Sequence, residues 1–137
     1  MVTAFAKPSG LRAIAEALIT INQQMDRIAL LEANWDGHGA VAIDPRLLRT
    51  VRSWSLQLPG WALFGSPSVV PLSTGALQLE WHNGTRVLEL EFEGPDRIHF
   101  LQWDSTVANS SEGSCDFAEA ERILHLIEWI QQEPSDA

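Results

Sequence analysis

The sequence predicts one α+β domain: two N-terminal helices, an antiparallel β-meander of three to four strands, and a C-terminal helix. Apolar residues recur at helical spacing in two segments before residue 60 and in one after residue 115, and they alternate in period two between them. Asn83-Gly84 joins two alternating segments, which is the strongest short hairpin signal. The chain has 137 residues, enough for one core, and we expect residues 1–8 and 134–137 to be flexible ends.

The first helix is predicted over residues 9–33, which carry an apolar stripe with spacings of three and four. The stripe consists of Leu11, Ile14, Leu18, Ile21, Met25 and Ile28. It is typical either of a coiled-coil seam, which would join two copies in a homodimer, or of a helix packed on its own sheet. Ile19, Leu30 and Leu31 widen the apolar surface, which favours packing within the domain.

The second helix has a clear start signal at Asp44-Pro45. Asp44 is suited to the N-cap, and Pro45 to the first helical position, where its missing N–H costs nothing. Its predicted buried side consists of Leu47, Val51, Trp54 and Leu58. Arg46, Arg49 and Arg52 also lie on this helix, so it could contact phosphate, although the acidic chain favours an internal match to the sheet or a solvated face.

The meander begins with residues 68–72, a short edge strand because Pro71 cannot donate to a ladder. Residues 76–82 and 86–93 then form the hairpin around Asn83-Gly84. A two-residue turn would pair Leu79 with Leu88 and place Trp81 opposite Arg86, within reach of a cation–π contact. Leucines share one face in this register, and the other face carries Gln78, Glu80, Glu89 and Glu91.

A further strand is predicted over residues 97–103. A three-residue loop would pair Glu91 with His99 and would leave Leu101 and Trp103 on the acidic face, whereas a two-residue loop would turn both inward; we favour the first. Residues 107–114 are small and polar, so we expect a mobile linker there. The last helix is predicted to start at Asp116, with Glu119 completing a capping box.

Charge is spread unevenly along the chain, whose net charge is −9. There are six basic and five acidic residues up to Leu58, but three basic and thirteen acidic residues from Pro59 onward. This balance disfavours nucleic acid and anionic membranes and favours a basic protein partner; the alternative is that the acidity serves only solubility. The single cysteine, Cys115, excludes an intrachain disulfide and a four-cysteine zinc site. With no signal-peptide pattern or long apolar run, we expect a cytoplasmic protein.

The segment Asn34–Ala40 is the most distinctive stretch. Asp36 and His38 could hold a metal ion or act as an acid–base pair. The favoured interpretation is an Asx turn closed by Asn34 and Asp36, in which Trp35 anchors the loop in the core. A binding loop at the helix end is the remaining alternative.

Acidic side chains of the sheet form the second candidate group. Glu80, Glu89, Glu91 and His99 are expected to share one sheet face, where carboxylates could bind a cation or run acid–base chemistry. A solvated face, with Arg97 softening the repulsion, is the commoner arrangement.

The segments Asn34-Trp35-Asp36-Gly37-His38-Gly39-Ala40, Leu79-Glu80-Trp81 and Leu88-Glu89-Leu90-Glu91 resemble a family of small, mostly uncharacterised bacterial proteins. That family has an N-W-D-G-x-G-A loop followed by L-E-W and L-E-L-E strands. The resemblance implies a bacterial, cytosolic protein and supplies no catalytic residue, metal or cofactor.

The sequence therefore favours a non-enzymatic, acidic protein-interaction module, such as an inhibitor, an immunity or antitoxin-like protein, or an accessory subunit, with a basic protein partner. The predicted interaction surface consists of Trp35, Asp36, His38, Glu80, Glu89, Glu91, His99 and Trp103. One alternative is a small metal-dependent enzyme or metal-binding protein using Asp36, His38 and the sheet carboxylates. A second is a nucleic-acid binder through the arginines of the second helix.

Overall fold

A computed structural model contains three helices and one five-stranded antiparallel sheet, and it describes residues 2–59, 62, 67–94, 96–107 and 109–132. The helices are α1 (Val2–Ala29), α2 (Pro45–Gln57) and α3 (Ala120–Gln131). The strands are β1 (Ser68–Pro71), β2 (Leu77–Asn83), β3 (Arg86–Phe92), β4 (Arg97–Asp104) and β5 (Asn109–Asp116), paired in chain order. The predicted α+β meander is confirmed, with one strand more than expected. None of the helices in the described ranges is long and apolar enough to cross a bilayer.

The first helix runs from residue 2 to residue 29, so it includes residues 2–8 and ends four residues before its predicted end. The C-terminal half of its stripe is buried, since Ile21, Met25 and Ile28 are at most 6 % exposed. This half packs within the domain, as favoured. Ile19 and Leu30, expected to widen the buried surface, are instead 55 % and 80 % exposed. Residues 134–137 lie outside the described residues.

The start of α2 confirms its predicted signals. Asp44 Oδ1 accepts the N–H of Arg46 at 2.8 Å, and Pro45 occupies the first helical position. Val51 and Trp54 are buried against the core, as the stripe predicted. This helix also packs on α1.

The sheet buries only one of its two faces. The inward face consists of Leu77, Leu79, Trp81, Leu88, Leu90, Phe92, Ile98 and Phe100, each at most 4 % exposed. Helix α1 packs near β1, and α3 packs on β2, β3 and β5. Alternation along each strand therefore directs the intervening side chains away from the helices.

The register of the β2–β3 hairpin differs from the prediction by two residues. Leu79 pairs with Leu90 rather than with Leu88, and Asn83 pairs with Arg86. Because side chains alternate with a period of two, this shift leaves every side chain on its predicted face. The assignment of faces is confirmed, and the register was wrong.

The side chain of Asn83 explains the shift. Its Nδ2 donates to the carbonyl oxygens of Ile130 at 2.8 Å and Gln132 at 3.0 Å, so Asn83 stays in the strand and covers the end of α3. The two loop residues are Gly84 and Thr85, and only Gly84 has a positive φ, +60°. A positive φ at the first central residue alone is the type II′ pattern.

We expect Gly84→Ala to lower the free energy of unfolding by about 1 kcal/mol, because a Cβ disfavours the left-handed conformation. Gly94→Ala is the matched control, since a Cβ there meets nothing within 4 Å and its φ lies outside that region. Urea denaturation of both variants measures the difference. Equal losses would contradict the turn assignment.

The β3–β4 register confirms the favoured three-residue loop. Glu91 pairs with His99 and Phe92 with Ile98. The side chain of Trp103 consequently lies on the acidic face, opposite the helices.

Residues 109–116 form β5, so the expected linker over 107–114 was wrong. The last helix begins at Ala120, and Asp116 ends the strand. One of the two hydrogen bonds of the predicted capping box forms, because Glu119 Oε1 accepts the N–H of Asp116 at 3.1 Å. This bond closes the turn between β5 and α3 and does not cap the start of the helix. Cys115 is the one buried side chain among those described in this edge strand, so apolar alternation gave no signal.

Candidate interaction surface

The outward side of the sheet carries no buried side chain among the described residues. We call it the open face: the outward side chains of β2 to β5. They are Gln78, Glu80, His82, Val87, Glu89, Glu91, Arg97, His99, Leu101, Trp103, Ser110, Glu112, Ser114 and Asp116. Five of these groups are carboxylates and one is a guanidinium, so the open face is strongly acidic.

A pair of like charges lies on β2 and β3, the first two strands of the open face. Glu80 and Glu89 are directly opposite each other on β2 and β3, an arrangement that destabilises a sheet. Burial, and then the charge of Glu80, raise the pKa of Glu89, while His82 opposes them. Gln78 Nε2 donates to Glu80 Oε1 at 2.6 Å, and His82 Nε2 lies 3.6 Å from Glu80 Oε2. In the described part of the chain, no lysine or arginine forms an ion pair with either carboxylate.

Next to this pair on the open face, Glu91 of β3 lies opposite His99 of β4. Burial raises the pKa of Glu91 most, followed by the hydrogen bond and the charge of Glu93, and His99 opposes the shift. His99 Nε2 also lies 3.9 Å from Glu112 Oε2 on β5. Arg97, expected to soften the repulsion, forms no ion pair within the described ranges. The excess negative charge is therefore only partly offset.

An apolar patch borders these carboxylates. Trp103 is 42 % exposed and lies opposite Val87, while Leu101 lies between Glu89 and Glu112 in its row. Partly exposed aromatic and aliphatic groups beside charged groups are the usual composition of a protein-binding surface.

The 34–40 loop confirms the Asx-turn interpretation. Asp36 Oδ1 accepts the N–H groups of His38 at 2.8 Å and Ala40 at 3.0 Å, and Asn34 Oδ1 accepts the N–H of Gly39 at 2.7 Å. These bonds use the carboxylate to hold the turn. The imidazole of His38 is exposed.

Trp35 is half-buried, so its expected place in the core was wrong. Its Nε1 donates to the carbonyl of Val41 at 2.9 Å, and the N–H of Val41 donates to Ser73 at 2.8 Å in the β1–β2 turn. The loop therefore lies at the sheet end where β2 begins, whereas Trp103 lies near the β2–β3 turn.

The eight predicted surface residues separate into three loop residues and five on the open face. Those five are Glu80, Glu89, Glu91, His99 and Trp103.

Two predicted roles for arginines change in the structure. Arg52 links the helices, donating to Asn22 and to Asp26, both at 2.6 Å, rather than meeting the sheet. The prediction that Trp81 contacts Arg86 was wrong, because in the shifted register Trp81 pairs with Leu88 and Arg86 pairs with Asn83. The guanidinium of Arg86 instead lies 4.9 Å from the ring of Trp129.

A cavity of about 550 Å³ lies beside the N-terminus of α2. Its polar lining includes Arg46, Thr50, Thr74, Glu91 and Glu93. The described lining holds no histidine or cysteine, so it offers no nucleophile–base pair of the Ser–His or Cys–His kind. Within the described ranges, no three His, Cys, Asp or Glu side chains are grouped as metal ligands.

Sequence reasoning missed Glu112 as a member of the acidic surface. Glu112 lies on β5, opposite Leu101, in a segment without apolar alternation. Only the pairing of β5 with β4 places it on the open face.

Comparison of the chain with protein-family models, curated protein sequences and solved structures finds no match.

Proposed function

We propose that this chain is a non-enzymatic protein-interaction module that binds a basic protein partner on its open face. It would act as an inhibitor, an immunity or antitoxin-like protein, or an accessory subunit. The opposition of Glu80 and Glu89 carries the proposal. The free protein keeps this costly pair without a lysine or arginine beside it among the described residues. A partner's guanidinium or ammonium group would remove the repulsion, so the pair favours the complex over the free state.

Charge would speed the association of the two proteins, and apolar contact would stabilise the complex. The net charge of −9 would steer a basic partner towards the open face, and this steering weakens as salt screens it. Trp103, with Val87 and Leu101 beside it, would supply the desolvated apolar contact that holds the complex.

We also propose a bacterial cytoplasmic setting, which the resemblance of the 34–40 loop and the two glutamate-containing strands supports. Assembly of two copies through α1 stays a prediction. Of the predicted stripe, Leu11 is 69 % exposed and would be available to such a seam.

The test begins with co-purification of the tagged chain with the products of its neighbouring genes at low salt. The double variant Glu80→Gln/Glu89→Gln is expected to weaken the captured partner about tenfold or more, as measured by calorimetry. Glu16→Gln/Glu128→Gln is the matched control, because it removes two exposed helix carboxylates and changes net charge equally. Equal weakening by both doubles, or no basic partner at low salt, would contradict the proposal.

The pH dependence of stability supplies a second signature. A carboxyl whose pKa is raised on folding holds its proton more tightly in the folded state, so it lowers stability as pH rises above 4.5. Glu89→Gln removes this ionisable group and its pH dependence. We expect the variant to gain about 0.5 kcal/mol over wild type near neutral pH, and less at pH 4. Urea denaturation at both pH values measures the gain, and a loss of stability at neutral pH would oppose it.

A further inference from the structure

The edge formed by β1 offers no free N–H donor. The N–H of Val69 donates to Gln24 Oε1 of α1 at 2.8 Å, so this residue directs its backbone away from β2. Alternate residues of a strand point the same way, and the flanking positions are Pro67 and Pro71, which have no N–H. Prolines and capping groups are how proteins protect edges from pairing.

The edge formed by β5 is different. Phe117 donates its N–H to Asp96, just before β4, whereas Asp116 donates to Glu119 Oε1 on the other side. Alternation then directs the backbone N–H and C=O groups of three residues away from β4. They are Ser110, Glu112 and Ser114. Within the described part of the chain these outward groups have no hydrogen-bond partner.

We propose that an extended, basic segment of the partner pairs with β5 as an additional strand. This deepens the proposed function and rests on it. Main-chain hydrogen bonds to the three outward residues would provide affinity, and alternate side chains would provide specificity. Every second side chain of the added strand extends the open face, so a lysine or arginine there lies beside Glu112.

Charge favours a basic segment over a second copy of this chain. Antiparallel pairing centred on β5 would set Glu112 of one copy against Glu112 of the other. Each copy also carries a net charge of −9. A basic segment instead meets the carboxylates that border this edge.

The first test uses the full chain and an acetylated, amidated octapeptide of alternating threonine and arginine. By NMR, the peptide is expected to slow amide exchange about tenfold at the three outward residues. The inward amides of Ser111, Gly113 and Cys115 should be protected before it is added. The control peptide has the same charge but is N-methylated at every residue, so neither of its edges can donate, and it should not slow exchange. Equal protection by both peptides, or none at millimolar peptide, would overturn the inference.

The second test compares Ser114→Pro with Ser114→Ala. Both variants lose the hydroxyl, which lies 3.4 Å from His99 Nδ1, but only proline removes the outward N–H. We expect Ser114→Pro to weaken peptide binding about tenfold and Ser114→Ala to leave it nearly unchanged. If Ser114→Pro unfolds the domain, Ser110→Pro tests the same edge.

The two proposals fail in different ways. If Glu80→Gln/Glu89→Gln weakens partner binding and Ser114→Pro does not, the open face binds and the edge inference is overturned. If Ser114→Pro alone weakens partner binding, the partner pairs with β5 and the proposed role of Glu80 and Glu89 is overturned. A dimer in sedimentation that Ser114→Pro abolishes would show that a second copy occupies the edge, which also overturns the inference.

Discussion

Phe92→Ala is expected to lower the free energy of unfolding by about 3–5 kcal/mol. The Phe92 ring is fully buried at the end of β3. Its centroid lies 5.0 Å from Trp54 of α2 and 5.7 Å from Phe117 in the turn before α3, both in edge-on geometry. Truncation therefore loses apolar burial and leaves a cavity where the sheet, α2 and that turn meet.

Urea denaturation of purified Phe92→Ala and wild type measures this loss. Phe92→Leu is the matched control, because it keeps most of the apolar volume and should cost clearly less. A small domain has about 5–15 kcal/mol of stability, so the alanine variant should be near its unfolding threshold. A cost below about 1 kcal/mol would mean that Phe92 is not the centre of this contact.

Arg86→Ala is expected to lower the free energy of unfolding by about 2 kcal/mol. The guanidinium stacks over Trp129 at 4.9 Å, and its Nη1 donates to the Trp129 carbonyl at 3.0 Å. The last turn of α3 contains no basic residue, and besides the N–H of Gln132 its carbonyls accept donors from the β2–β3 hairpin. Arg86 and Asn83 supply them from the two strands of the hairpin.

Arg86→Lys is the matched control for this second prediction. Lysine keeps the positive charge beside Asp104 but loses the planar group that stacks on Trp129. We expect it to restore only part of the stability, as measured by urea denaturation at pH 7. Full rescue by lysine would mean that stacking of the planar guanidinium on Trp129 does not carry the effect.

Asp104 is expected to make the stability of the fold depend on pH in acid. The N–H of Thr106 lowers its pKa most, to about 2, followed by the Thr106 hydroxyl, and Arg86 contributes less. Because the folded pKa lies below 3.8, this group stabilises the fold above that pH, and the contribution is lost as pH falls from 3.8 towards 2. Arg86→Ala should therefore keep most of the acid sensitivity, while Asp104→Asn should reduce it.

The one-sided sheet connects these stability predictions to the proposed function. Three helices cover the inward face, so the core and the ends of α3 need nothing from the outward side chains. The open face can therefore carry an unfavourable pair of carboxylates at a cost of about 0.5 kcal/mol without endangering the fold. The proposed binding role, and not folding, would account for such a pair.

Local patterns in the sequence predicted most of the fold. Asp44-Pro45 marked the start of α2, because an N-cap carboxylate and a proline act within a few residues of themselves. Alternation along β2 and β3 predicted which face is apolar and which is acidic, and it identified five surface residues that share the open face. It could not place the 34–40 loop relative to that face.

Long-range contacts decided the rest. The β2–β3 register depends on Asn83 reaching Ile130, which is 47 residues away in the chain. β5 became a strand through its pairing with β4, since its side chains are nearly all polar, and this pairing brought Glu112 to the open face and left one sheet edge free. Sequence periodicity reports which side chains seek burial, whereas register and edge strands depend on backbone groups that meet only when the chain has folded.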